Sequence, residues 1–205
     1  MVTAMIVSVI VVCAAVLVLA PRPLFAEVGS SPPRRRLELG LSLGLAGIGV
    51  VVLAFGPGEA IWPRAGLALA LMTLAAIVYA DLRFLIIPDS YSATLAVLGL
   101  IGSHAIWPTL AGALLCGGLL AGVAWAFKRS TQVEGMGFGD VKLAAAVGAL
   151  LGPEMGLWAI AASAIVAALI GLAWRRLRKG EGPLMIPYGA ALALACAALL
   201  VGSRL

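Results

Sequence analysis

The sequence predicts an all-α fold, a polytopic membrane helix bundle of about eight transmembrane helices. Three observations predict it. Of the 205 residues, 63% are hydrophobic and only 11% are charged, against about 25% charged in a typical soluble domain. Mean hydropathy is +1.13. The apolar residues are gathered into runs of roughly the 20 residues a helix needs to cross the hydrocarbon core, separated by Pro and Gly. Such a composition leaves too little polar surface for a soluble fold, a disordered chain or a nucleic-acid binder. Strands are not expected, because alternating polarity is absent and lipid admits only helices or closed barrels.

The expected spans are 3–20, 39–55, 65–80, 91–107, 109–127, 140–152, 155–174 and 185–203. Helix breakers fall between them: Pro21 and Pro23, Pro32 and Pro33, Gly56-Pro57-Gly58, Pro88, Pro108, Gly152-Pro153 and Gly182-Pro183. The first run resembles a signal peptide in being apolar and terminal. It lacks basic residues over 1–12 and is longer than the usual apolar region of a signal, so it is counted as a span. Small residues repeat in GLAGIG from Gly44 and CGGLLAG from Cys116, a pattern that allows helices to approach closely in lipid. Cys13, Cys116 and Cys196 lie inside apolar runs without metal-ligand spacing, so they are read as small buried hydrophobes. No metal and no cofactor is expected.

Orientation follows from the 14 basic residues. With the amino terminus outside, all but Arg64 and Arg204 fall on the inner side, as positive-inside bias requires. Basic clusters therefore anchor topology. The acidic residues are harder to place, because an ionisable group at a membrane boundary is costly and signals function. Asp81 closes the 65–80 span on the inner side. Two crossings later, Asp140 opens the 140–152 span on the same side. Two carboxyls brought together resist double ionisation and share a proton. One can then take a proton from water while the other donates to a scissile carbonyl. Gly135, Gly137 and Gly139 alternate just before Asp140. Without Cβ atoms they admit a close, extended backbone, which an extended peptide substrate requires; a flexible inter-span loop is the alternative reading.

At these residues the chain resembles the type IV prepilin peptidases, membrane aspartyl proteases of the GxGD class. Three patches carry the resemblance. They are D-x-R-x-x-x-I-P-D from Asp81 to Asp89, E-G-M-G-x-G-D-x-K from Glu134 to Lys142, and P-[FY]-G at Pro187-Tyr188-Gly189. The resemblance implies that Asp81 and Asp140 are the catalytic pair. It also implies cleavage of the basic leader of type IV prepilins or type II secretion pseudopilins at the cytoplasmic face of a bacterial inner membrane. The partners implied are that substrate and the lipid bilayer, with no nucleic acid. Residues 65–205 would form a six-helix protease core, and 1–64 two accessory helices with a short basic loop. Long-form members carry two CxxC pairs that bind zinc after the first span, associated with methylation of the new amino terminus. Here PRPLFAEVGSSPPRRRLE stands in that place without Cys, so the resemblance implies cleavage, while the residues associated with methyl transfer are missing.

Other residues have two readings each. Asp89 is an N-cap with a favourable helix-dipole position or a site residue. Arg83 anchors its span or biases Asp81. Lys142 snorkels or tunes the pair. Glu134 is a solvated loop acid or meets a basic leader. Pro187, Tyr188 and Gly189 start a helix or line the site. His104 and most of the Trp residues are read as interface residues. The competing class of function is a transporter, in which acids would line a path at several depths, or an inactive pilus-system scaffold. The acids of this chain cluster at boundaries instead.

Overall fold

The computed structural model describes residues 61–103, 105–132, 136–178 and 186–203. The expected spans 3–20 and 39–55, together with Cys13, His104, Glu134 and Gly135, lie outside the described residues. All regular structure among the described residues is helical: α1 Ile61–Phe84, α2 Asp89–Gly102, α3 Ile106–Thr131, α4 Phe138–Arg178 and α5 Tyr188–Gly202.

α1 runs past the expected end of its span. Leu82, Arg83 and Phe84 continue the helix, and Leu85 ends it by taking a left-handed conformation at φ 54°. Its N–H still reaches the Asp81 carbonyl, at 3.0 Å. Asp81 is therefore in the last turn of a helix rather than after it. α2 is shorter than expected, 14 residues ending at Gly102, a rise of about 21 Å that falls short of the roughly 30 Å core. The turn into α3 is tied by a 2.7 Å hydrogen bond between the Thr109 and Ser103 hydroxyls. α3 extends four residues beyond its expected end and closes on Gln132, also left-handed, whose N–H bonds the Lys128 carbonyl.

α4 has 41 residues but does not run straight. Gly152 adopts φ 80° and ψ 176°, a conformation open to glycine, and Pro153 follows it. A Cβ placed on Gly156 would stand 3.0 Å from the Gly148 Cα, whereas eight residues of continuous helix would separate them by about 12 Å. The two arms, 138–151 and 153–178, thus fold back on each other, as the Gly152-Pro153 breaker predicts. By length and apolar composition Ile106–Thr131 can cross a membrane, as can Phe138–Ala173, which takes in both arms of α4, while Gly66–Leu82 and Tyr188–Gly202 are shorter apolar helices.

Packing rests on small residues. Gly112 of α3 and Gly148 of α4 meet backbone to backbone, and any Cβ on either would overlap the other's carbonyl. Gly99 of α2 also lies against the Ala149 carbonyl, a little less closely. Cys116 and Cys196 are buried, as expected, with Cys116 Sγ seated against Gly156. α5 is apolar all round and buried along nearly its whole length, the pattern of a central helix. α3 turns Leu114, Leu119 and Val123 outward, the surface a bilayer would cover. Exposed Trp107 and Trp125 stand near its two ends, with the Arg129 guanidinium 5.6 Å from the Trp125 ring. The C-terminal end of α1 and the N-terminal ends of α2, α4 and α5 meet at one end of the bundle.

Candidate active site

Three helix ends build the site. The last turn of α1 supplies Asp81, which is only 5% exposed. An isolated buried carboxyl is costly unless hydrogen-bonded, and this one is. The Ala190 N–H at the start of α5 donates to Asp81 Oδ2 at 2.7 Å, and the Gly189 amide also serves it. These are amides that the first turn of a helix leaves without intrahelical partners.

The first turn of α4 supplies Asp140, half-buried. Its N–H donates to the Gly137 carbonyl at 3.1 Å, and the Gly137 amide in turn serves its carboxyl. Gly189 shows how the two acids relate. A Cβ built there would lie 3.2 Å from Asp140 Oδ1 and 3.2 Å from Asp81 Cγ. The two carboxyls therefore face each other across no more than twice that distance, close enough for the charge of one to bear on the other. The same point is 2.5 Å from Ile87 Cδ1, so any side chain at 189 would displace Ile87 and crowd both carboxyls.

Ile87 is the hydrophobic wall of this space. It is buried, and its Cβ lies 3.4 Å from where a Cβ on Gly139 would be. Gly139 and Gly189 thus let Ile87, Asp81 and Asp140 converge. Gly137, by contrast, is exposed and has open space beyond Asp140 Oδ2.

The remaining expected site residues divide. Asp89 is not the N-cap of α2. Pro88 holds that position without a side-chain cap, and Asp89 is the first residue inside the helix. Its carboxylate receives a bidentate ion pair from Lys142 Nζ, at 2.8 and 2.7 Å. That pairing also decides Lys142, which points to Asp89 and lies 5.1 Å over the Phe138 ring. Pro187 precedes α5 as its N-cap. Tyr188 Oη is 3.0 Å from the Ser163 hydroxyl in the second arm of α4. Ser163 has a single hydroxyl hydrogen, and the Ile160 carbonyl 2.9 Å away can take it, which leaves its oxygen to accept from the tyrosine. Arg83 belongs to the last turn of α1, and its side chain is not among those described.

Ile87, Ala190 and Ser163 escape the sequence reading as individual site residues. Ile87 is visible only as a letter of the I-P-D patch. Ala190 contributes a backbone N–H, which no side chain announces. Ser163 had a signal, a polar residue within the apolar run LWAIAASAIV, where a hydroxyl is available to bond a neighbouring helix.

Residues 67–172 match the type IV leader peptidase family. The chain is 36% identical over 171 residues to the prepilin leader peptidase/N-methyltransferase of Burkholderia pseudomallei, covering 78% of this chain and 52% of that protein. It is 37% identical over 149 residues to the protein of the same name from Xanthomonas campestris, covering 70% and 51%. For the Pseudomonas aeruginosa protein of that name the identity is 35% over 150 residues, covering 70% and 52%. The chain spans about half the length of the curated relatives it matches. No solved structure matches it. With the matched segment reaching from α1 through the second arm of α4 and enclosing both aspartates, the chain belongs to the type IV leader peptidase family.

Proposed function

We propose that this chain is an intramembrane aspartyl endopeptidase that removes the basic leader of type IV prepilins or pseudopilins. The observation that carries the reading is the convergence of the Asp81 and Asp140 carboxyls on one point beside Gly189. Such a pair holds one proton between its members. A substrate carbonyl placed between them receives that proton on its oxygen. The ionised partner takes a proton from water as the water oxygen bonds to carbon. Collapse of the resulting diol breaks the C–N bond: the departing amine takes the proton of one carboxyl, and a diol hydroxyl gives its proton to the other as its C–O becomes the new carbonyl, so the dyad again holds one proton. The backbone amides of Gly137, Gly189 and Ala190 keep both carboxyls in place through the cycle.

The finer topology is part of the same proposal. Residues 65–205 form the protease core and 1–64 two accessory helices, giving about eight spans in a bacterial inner membrane. The end of the bundle that carries Asp81 and Asp140 faces the cytoplasm, in keeping with the basic residues Lys128 and Arg129 at that end of α3. Glu134, Gly135 and Arg83 are proposed to support substrate near this mouth. The proposed activity is peptide cleavage alone. The relatives' names also include N-methyltransferase, but the Cys-free stretch at 21–38 gives methyl transfer no support.

Mass spectrometry of a prepilin incubated with membranes containing this chain tests the proposal. The expected products are a free leader and a mature chain starting at the head of the hydrophobic stretch, with no added methyl. An uncut substrate would refute the reading.

A further inference from the structure

The segment between α1 and α2, residues 85–88, has no regular structure, yet it carries Ile87 into the space beside both carboxyls. Something must set where that segment sits relative to α4. Two residues after Ile87 comes Asp89, and two residues after Asp140 comes Lys142. These two side chains form a bidentate ion pair between positions 53 residues apart. Lys142 is braced from its other side by Phe138, one helical turn earlier. A carboxylate that meets an ammonium with both oxygens is more restrictive than a single surface contact.

Asp89 is 73% exposed, so the pair adds little to global stability. Its consequence is local. It ties the segment bearing the wall of the site to the turn bearing one of its acids.

We propose that Asp89 and Lys142 are a positioning latch, whose ion pair registers residues 85–88, and Ile87 with them, against the first turn of α4. The catalytic consequence rests on the dyad reading above, whereas the geometric part does not. Neither residue touches substrate in this proposal; both act through Ile87 and Asp140.

Two measurements on the full-length chain in membranes test it. The first is oxidative crosslinking of the double variant Ile87→Cys/Gly139→Cys, read by mass spectrometry of the joined peptide. A Cβ at 139 would stand 3.4 Å from that of residue 87, near the roughly 3.8 Å of a disulfide. Crosslinking is expected to be rapid, to slow at least about fivefold when Lys142→Met is added, and to recover within about twofold in the charge exchange Asp89→Lys/Lys142→Asp. Equal rates in all three backgrounds would overturn the latch.

The second measurement is prepilin cleavage by Asp89→Asn, Lys142→Met and the exchange variant, all with residues 87 and 139 unchanged. A fall in kcat of about five- to tenfold at nearly constant KM, with rescue by the exchange, is expected. A raised KM with unchanged kcat and no rescue would instead make Asp89 a contact for the basic leader and overturn the proposal. Were the native chain unable to cut prepilin, the proposed function would fall, and the crosslinking rates would still decide the latch.

Discussion

Asp81 is buried at the end of an otherwise apolar helix, and its only compensation in view is a pair of backbone amides at the start of α5. A buried acid in such a position is an expensive feature even when hydrogen-bonded, and the proposed function gives it a role as one half of a pair with Asp140. The proposed dyad, titrating as one unit, predicts a bell-shaped dependence of cleavage on pH. At low pH both are protonated and no base remains. At high pH both are ionised and no acid remains. A stopped assay across the range checks this, and a rate that climbs monotonically with pH would count against a shared proton. Gly189→Ala tests the same site sterically. Its methyl group would overlap Ile87 Cδ1 and press on both carboxyls, so cleavage should fall at least about tenfold while the helical circular-dichroism spectrum is kept. The two acids themselves were legible in the sequence, since boundary carboxylates stand out against an apolar chain. Gly189 was legible as a helix start or a site-lining residue but not as the contact point of both acids, because its contacts join segments more than 40 residues apart. The pairing of Lys142 with Asp89 was hidden for the same reason.

At the scale of elements, glycine decides how the helices meet. Gly112 and Gly148 bring α3 and α4 into backbone contact, and a side chain on either has no room to relax. Gly112→Val should destabilise the fold by about 1–3 kcal/mol, read as a lowered unfolding midpoint in detergent. Gly118, on the same helix with open space where a methyl group would point, is the control, and Gly118→Ala should not lower the midpoint. The order of helices from residue 65 onward, and the reversal at Gly152-Pro153, could be read from apolar runs and breakers. Their ends could not. Helices α1 and α3 run past their apolar stretches into Leu82-Arg83-Phe84 and Lys128 to Thr131, because hydrogen bonding continues a helix after hydropathy has lapsed.

For the whole molecule, the useful fact is that several distant segments reach one end together. α1 arrives there, α2, α4 and α5 depart from it, and the even number of passes between Asp81 and Asp140 puts both acids at that end. Parity of crossings was available from the sequence, and it requires no knowledge of which helices touch. The distance between the carboxyls was not available, since it depends on Gly189 and Ile87 being brought beside them by α5 and the 85–88 turn. The central claim is that the two acids function as one dyad on a prepilin. Comparing Asp81→Asn, Asp140→Asn and the double variant in a prepilin cleavage assay tests it most directly. The account predicts that each single change lowers kcat at least about a thousandfold and that the double variant is no worse than either. Substantial cleavage by one single variant, or losses that multiply in the double, would contradict it.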